Sequence, residues 1–119
     1  MNKITYTIVL LCFVQFGFSQ TDNDYQTIIT TISEGYNAKD ANKIFSVFSA
    51  DLQSTFSLDK VKSFIEENHA SKGAMSESTL LVEEDGNRRY LTEFENASSV
   101  LVLGLSSDNK VKTFALEEY

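Results

Sequence analysis

The chain has no proline, no tryptophan, one cysteine and five glycines among its 119 residues. A single thiol builds neither a disulfide framework nor a cysteine-rich zinc site. No Pro/Gly-rich stretch marks a linker or low-complexity tract, no repeat is present, and the length leaves room for one globular domain. Basic residues are also scarce: 10 Lys and Arg stand against 17 Asp and Glu, a formal net charge of −7 with a pI near 4.6. Such a balance argues against neutralising a phosphate backbone, so no nucleic-acid partner is expected. No cofactor fingerprint is present either.

What is present begins with an address. Lys3 precedes an apolar run from Ile8 to Phe18, interrupted at Gln15 and Gly17 and ending at Ser19-Gln20. Residues 1–19 therefore read as a secretory signal peptide, with cleavage expected after Ser19 and a periplasmic or secreted product. The run is far shorter than the roughly 20 residues of a membrane span, so no stable membrane anchor is expected after cleavage. Leu11 stands where a lipidation site carries a small residue, which sets Cys12 aside as a lipoprotein site. The expected domain, residues 20–119, keeps no cysteine and must hold together by packing alone. At about 100 residues that is feasible, since such a chain buries some 60–70% of its surface.

The domain reads as helices followed by strands. Tyr25, Ile28, Ile29, Ile32 and Tyr36 mark one helical face, with Asp22 or Asp24 as N-cap. Asp40 opens a second helix along Ile44, Phe45 and Phe48, continued by Leu52 and Phe56. Ser57 caps a third, with Leu58, Val61, Phe64 and Ile65 inward, ending near His69 before Gly73. Beyond Gly73 the period becomes two, and turn residues recur at Asp85-Gly86-Asn87, Asn96–Ser99 and Ser107–Lys110. Four hairpin-linked strands follow, near 75–84, 88–96, 99–106 and 110–117. Tyr90, Thr92 and Phe94 share the face expected to meet the helices. Leu101, Leu103 and Leu105 do the same on the third strand, where Val100, Val102 and Gly104 face outward. Phe48, Phe64, Tyr90, Phe94, Leu103 and Leu105 are the expected core. The fold class is α+β: three N-terminal helices on a curved four-stranded antiparallel sheet.

Tyr36-Asn37-Ala38-Lys39-Asp40, Ile44-Phe45, Phe48-Ser49, Phe56-Ser57-Leu58, Gly73, Tyr90, Phe94, Leu103–Ser106 and Asp108–Val111 together resemble a bacterial exported domain. That domain, of unknown function 3887, belongs to the cone-shaped nuclear transport factor 2-like superfamily. The resemblance covers nearly the whole domain, and its motifs are structural rather than catalytic. It implies a curved sheet wrapped on helices and a pocket that can take a small apolar ligand. It also implies, as an alternative role, an accessory domain acting with an exported serine hydrolase or penicillin-binding-protein-like enzyme.

Chemistry-bearing residues are few. Ser57-Leu58-Asp59-Lys60 has the S-x-x-K form, but the supporting Ser-Asp-Asn and Lys-Thr-Gly elements are missing, so Ser57 reads as a helix cap. Glu66, Glu67 and His69 read as a solvated helix end, and a metal would need two further ligands. Glu83-Glu84-Asp85 beside Arg88-Arg89 reads as an exposed charge cluster across the first hairpin. Asn96-Ala97-Ser98 has the form of a glycosylation sequon and reads as a turn. A cone-fold isomerase would need a carboxylate beside Tyr36 or Tyr90, yet Glu93 and Glu95 belong to the opposite strand face. The candidate pocket is therefore Tyr36, Tyr90, Thr92 and Phe94, without catalytic residues. The candidate dimer face is Val100, Val102, Val111 and Thr113, apolar enough for a weak homodimer. The reading is an exported, non-catalytic binding or self-association module.

Overall fold

A computed structural model describes residues 21–119; the expected signal segment lies outside the described residues. Four helices come first: α1 (Asp22–Ala38), α2 (Ala41–Phe45), α3 (Ala50–Thr55) and α4 (Leu58–Lys72). Four strands follow: β1 (Met75–Glu84), β2 (Asn87–Phe94), β3 (Ser98–Leu105) and β4 (Val111–Glu118). They pair antiparallel in sequence order as an open meander, so the class is α+β. Among the described residues no helix is long and apolar enough to cross a membrane.

The first helix buries the expected stripe, Tyr25, Ile28, Ile29, Ile32 and Tyr36. Its N-cap is Thr21 rather than Asp22 or Asp24. The Asp24 N–H donates to Thr21 Oγ1 at 3.2 Å and the Thr21 N–H donates to Asp24 Oδ2 at 3.0 Å. Asp24 thus serves as the third residue of a capping box, satisfying two otherwise orphaned donors reciprocally.

The expected second helix is two. After α2 the chain extends at Phe48, which bridges Val111 in parallel. The Val111 N–H donates to the Val47 carbonyl and the Ser49 N–H to the Val111 carbonyl, both at 2.8 Å. Ser49 then caps α3 by accepting from the Leu52 N–H. Continuing one helix through 46–49 would forfeit these bonds and withdraw Phe48, which is 2% exposed, from the core. The fourth helix runs to Lys72, three residues beyond the expected end near His69, and Gly73 is its cap, with φ 85° and an N–H on the His69 carbonyl.

Strand alternation falls as expected in β2 and β3. Tyr90, Thr92, Phe94, Leu101, Leu103 and Leu105 are all buried inward. Asp85 and Gly86 both take positive φ between the paired Glu84 and Asn87, the two-residue loop whose twist suits a hairpin. The β3–β4 ladder carries a bulge: Leu105 opposes Val111, while Gly104 opposes Thr113. Lys112 is the extra residue, so Val111 turns into the core while Thr113 stays outward.

One junction ties the two layers together. The Tyr36 hydroxyl donates to the Gly73 carbonyl at 2.7 Å, and the Asn37 amide makes two bonds to the Met75 backbone at 2.8 and 2.9 Å. Glu95 accepts from the Ala74 N–H at 2.9 Å across the same bend. A Cβ at Gly73 would lie 2.9 Å from the Glu95 Cβ, so the bend needs glycine both for its φ and for this approach.

Candidate functional site

The four expected pocket residues all lie in the buried core between the helices and the sheet. Tyr36 and Thr92 are fully buried, Tyr90 nearly so, and Phe94 is 6% exposed. Ring centroids of Tyr25 and Tyr90 lie 6.2 Å apart, those of Tyr36 and Phe94 5.6 Å. The ends of α1 therefore rest on opposite ends of β2. Tyr90 and Phe94 stand four positions apart on the strand, on the order of 13 Å along the backbone, so the two phenols meet different parts of it. Each is engaged separately. Tyr36 donates to Gly73, and Tyr90 accepts from Arg88 Nη1 at 3.4 Å. Burial, then the Glu95 carboxylate, push the Tyr36 phenol up to about 12; burial also raises Tyr90 and Tyr25.

The arginine pair is divided by strand alternation, which corrects the expected exposed cluster. Arg88 points inward at 8% exposure, donating to Asp22 at 2.7 Å and Glu83 at 3.3 Å, with its guanidinium 4.3 Å from the Tyr25 ring centroid. It anchors the start of α1 to the sheet. Arg89 points outward to Glu84 at 3.3 Å and Glu117 at 2.5 Å. Since β2 carries Arg89 and β4 carries Glu117, the second pair spans β3 on its outer face. Val102 there is only 6% exposed, Val100 and Thr113 are half-buried, and Gly104 leaves room for the Asn87 amide. Of the expected dimer face, Val111 lies in the core and Val102 is covered by the chain's own side chains.

His69 corrects another expectation. Its ring stacks on Tyr36 at 4.2 Å and 13°, and Nε2 donates to the Tyr36 carbonyl at 2.7 Å. It is a packed link between α1 and α4, while Glu66 and Glu67 are exposed. The longer α4 carries it inward, which stacking on an aromatic at a distance of 33 residues hides from sequence periodicity. Ser57 accepts from the Lys60 N–H at 3.3 Å, and Lys60 Nζ donates to the Thr55 carbonyl at 3.0 Å. Both groups serve helix caps. Asn96 is exposed in the β2–β3 turn, its N–H on the Lys72 carbonyl at 2.9 Å.

A cleft that sequence reading missed opens where α4 passes over the ends of β3 and β4. Phe64, Asn68 and Lys72 line it from α4, four residues apart on one stripe. Phe114, Leu116 and Glu118 line it from β4, two residues apart, with Phe56 and Ser99 completing the walls. Its volume is about 150 Å³. One end is aromatic: Phe64 and Phe56 present edges to Phe114 at 5.1 and 5.5 Å. The other end is polar. Lys72 Nζ lies 3.7 Å from Glu118, with the lysine side chain 13% exposed and the glutamate 92%. The Ser99 hydroxyl is buried and has no hydrogen-bond partner among the described residues. The alternation of β3 and the inward place of Phe64 were expected from sequence; Asn68 and Lys72 belong to no expected stripe, and Lys72 lies beyond the expected helix end. The meeting of α4 and β3 depends on which strand end the helix crosses. No group of three or more His, Cys, Asp or Glu is placed to hold a metal among the described residues. Comparison with protein-family models, with curated proteins and with solved structures found no match to this chain.

Proposed function

We propose that the protein is an exported, non-catalytic binding module on the nuclear transport factor 2-like plan, and that it binds at the cleft between α4 and the ends of β3 and β4. An open antiparallel meander packed under N-terminal helices is compatible with that plan. The observation that carries the reading is the division of polar groups between two places. On the inner face the phenols, Thr92 and Arg88 hold structural partners. In the cleft a buried hydroxyl has no partner among the described residues, and the ammonium of Lys72, whose side chain is 13% exposed, lies no closer than 3.7 Å to the carboxylate it faces. Buried polar groups are normally paired, so the cleft has binding capacity that the fold does not use.

Native mass spectrometry of protein from the exported fraction tests this directly. The expected species begins at Gln20 and carries a small non-covalent adduct that is lost on gentle activation. A chain still beginning at Met1 in the membrane fraction overturns export. A carboxylate titrating well above its ordinary range beside Tyr36 or Tyr90, seen by NMR, overturns the non-catalytic reading in favour of an isomerase-like site.

A further inference from the structure

We infer that the α4–β3–β4 cleft takes a small aromatic carboxylate, its ring against Phe56, Phe64 and Phe114 and its carboxylate between Lys72 and Ser99. The inference rests on the binding-module reading and names the ligand class of the same cleft. Size sets the first limit: about 150 Å³ is the volume of an apolar cavity that accepts one benzene ring. The walls set the second. Three phenylalanines meeting edge to face, with Leu116 beside them, offer a ring the offset and edge-on contacts that aromatic pairs prefer.

Charge sets the third. The Lys72 side chain lies mostly buried along the cleft, and the counter-charge of its ammonium sits 3.7 Å away on a glutamate that is almost wholly in water. That separation exceeds a hydrogen bond, so the ammonium keeps its donors for another acceptor. Glu117, the other cleft carboxylate, is turned to Arg89 on the outer face of the sheet. A ligand carboxylate would accept a short charge-assisted bond from Lys72 and the orphaned Ser99 O–H, answering both groups at once. A neutral ring leaves the ammonium as it is, and an aromatic amine meets it with like charge. Asn68 is held by its own helix, its amide donating to the Phe64 carbonyl at 2.8 Å, and so shapes the rim without competing for the ligand.

Titration of the purified protein with sodium benzoate, followed through backbone amide NMR, tests the assignment, with benzyl alcohol as the neutral probe of similar shape. Benzoate is expected to give saturable shifts confined to Phe64, Lys72, Ser99, Phe114 and their neighbours, and to bind about tenfold more tightly than benzyl alcohol. Lys72→Met should remove that preference, leaving the two probes nearly equal. Ser99→Ala should weaken benzoate while the fold gains stability, because an unpaired buried hydroxyl disappears. Equal affinity of the two probes at these residues in the unaltered protein overturns the carboxylate assignment and leaves the binding-module reading standing. Shifts that never saturate, or that scatter over the exposed lysines, overturn the assignment as well. If Lys72→Met fails to fold, Lys72→Gln supplies the same comparison, and retention of the benzoate preference in either overturns the role of the ammonium.

Discussion

Tyr36 shows how a single side chain can be structural in three ways. Its ring carries His69 and Phe94, its hydroxyl holds the Gly73 carbonyl, and its own carbonyl receives His69. Tyr36→Phe leaves the Gly73 carbonyl buried without its donor, an expected loss of about 1–3 kcal/mol, read from the denaturant midpoint. The same residue predicts a pH dependence. Its folded pKa is about 12 against an ordinary 10.0, so folding favours the protonated phenol. The contribution is complete below pH 10 and is lost as pH rises toward 12. Stability curves across that range should fall less steeply for Tyr36→Phe, with the remainder carried by Tyr25 and Tyr90, which burial also raises. Ser57 makes the contrasting case. As a cap, Ser57→Ala should cost about 1 kcal/mol, and no β-lactam or ester turnover in the protein should depend on it. Turnover abolished by that change, with the fold intact, would restore a nucleophile.

At the scale of the element, strand register is the statement most open to test. Phe94 is inward at 6% exposure, and Leu91 is half-buried on the outer face. Phe94→Ala is expected to cost about 3–5 kcal/mol and Leu91→Ala much less, measured by chemical denaturation. The reverse order would move β2 by one residue and turn Arg88 to solvent. The first hairpin has another property. Leu80, Leu81 and Val82 are 44–48% exposed on β1, which is an edge strand of the sheet among the described residues. Glu77 before this run and Glu83 and Glu84 after it put acidic charge at both ends, a device that discourages edge-to-edge pairing of identical chains. Element type was legible because the hydrophobic period changes from 3.6 to 2 at Gly73. The break at Phe48 was not, because its cause is a bridge to Val111, 63 residues away.

For the whole molecule, the outer sheet face decides whether two copies meet there. A dimer on that face would have to open the Arg89 bridges to Glu84 and Glu117 to reach Val102. The expected outcome is a monomer through the micromolar range by sedimentation, with Val102→Glu lowering stability rather than changing mass. A heavier species that vanishes in Thr113→Glu, at a half-buried outward position, would establish the sheet-face dimer instead.

The sequence by itself determined the order of helices and strands, the inward stripes of α1, β2 and β3, and the caps at Asp40 and Ser57. Each of these is a local periodicity or a contact within one turn, and such patterns survive in one dimension. Only the tertiary structure decided that Arg88 is buried under α1, that His69 stacks on Tyr36, and that Val111 turns inward. It likewise decided that Phe64, Lys72, Ser99 and Phe114 share a cleft. These depend on a bulge of one residue and on where one helix crosses a sheet. The free energy that selects them comes from contacts between residues tens of positions apart, which no local pattern records.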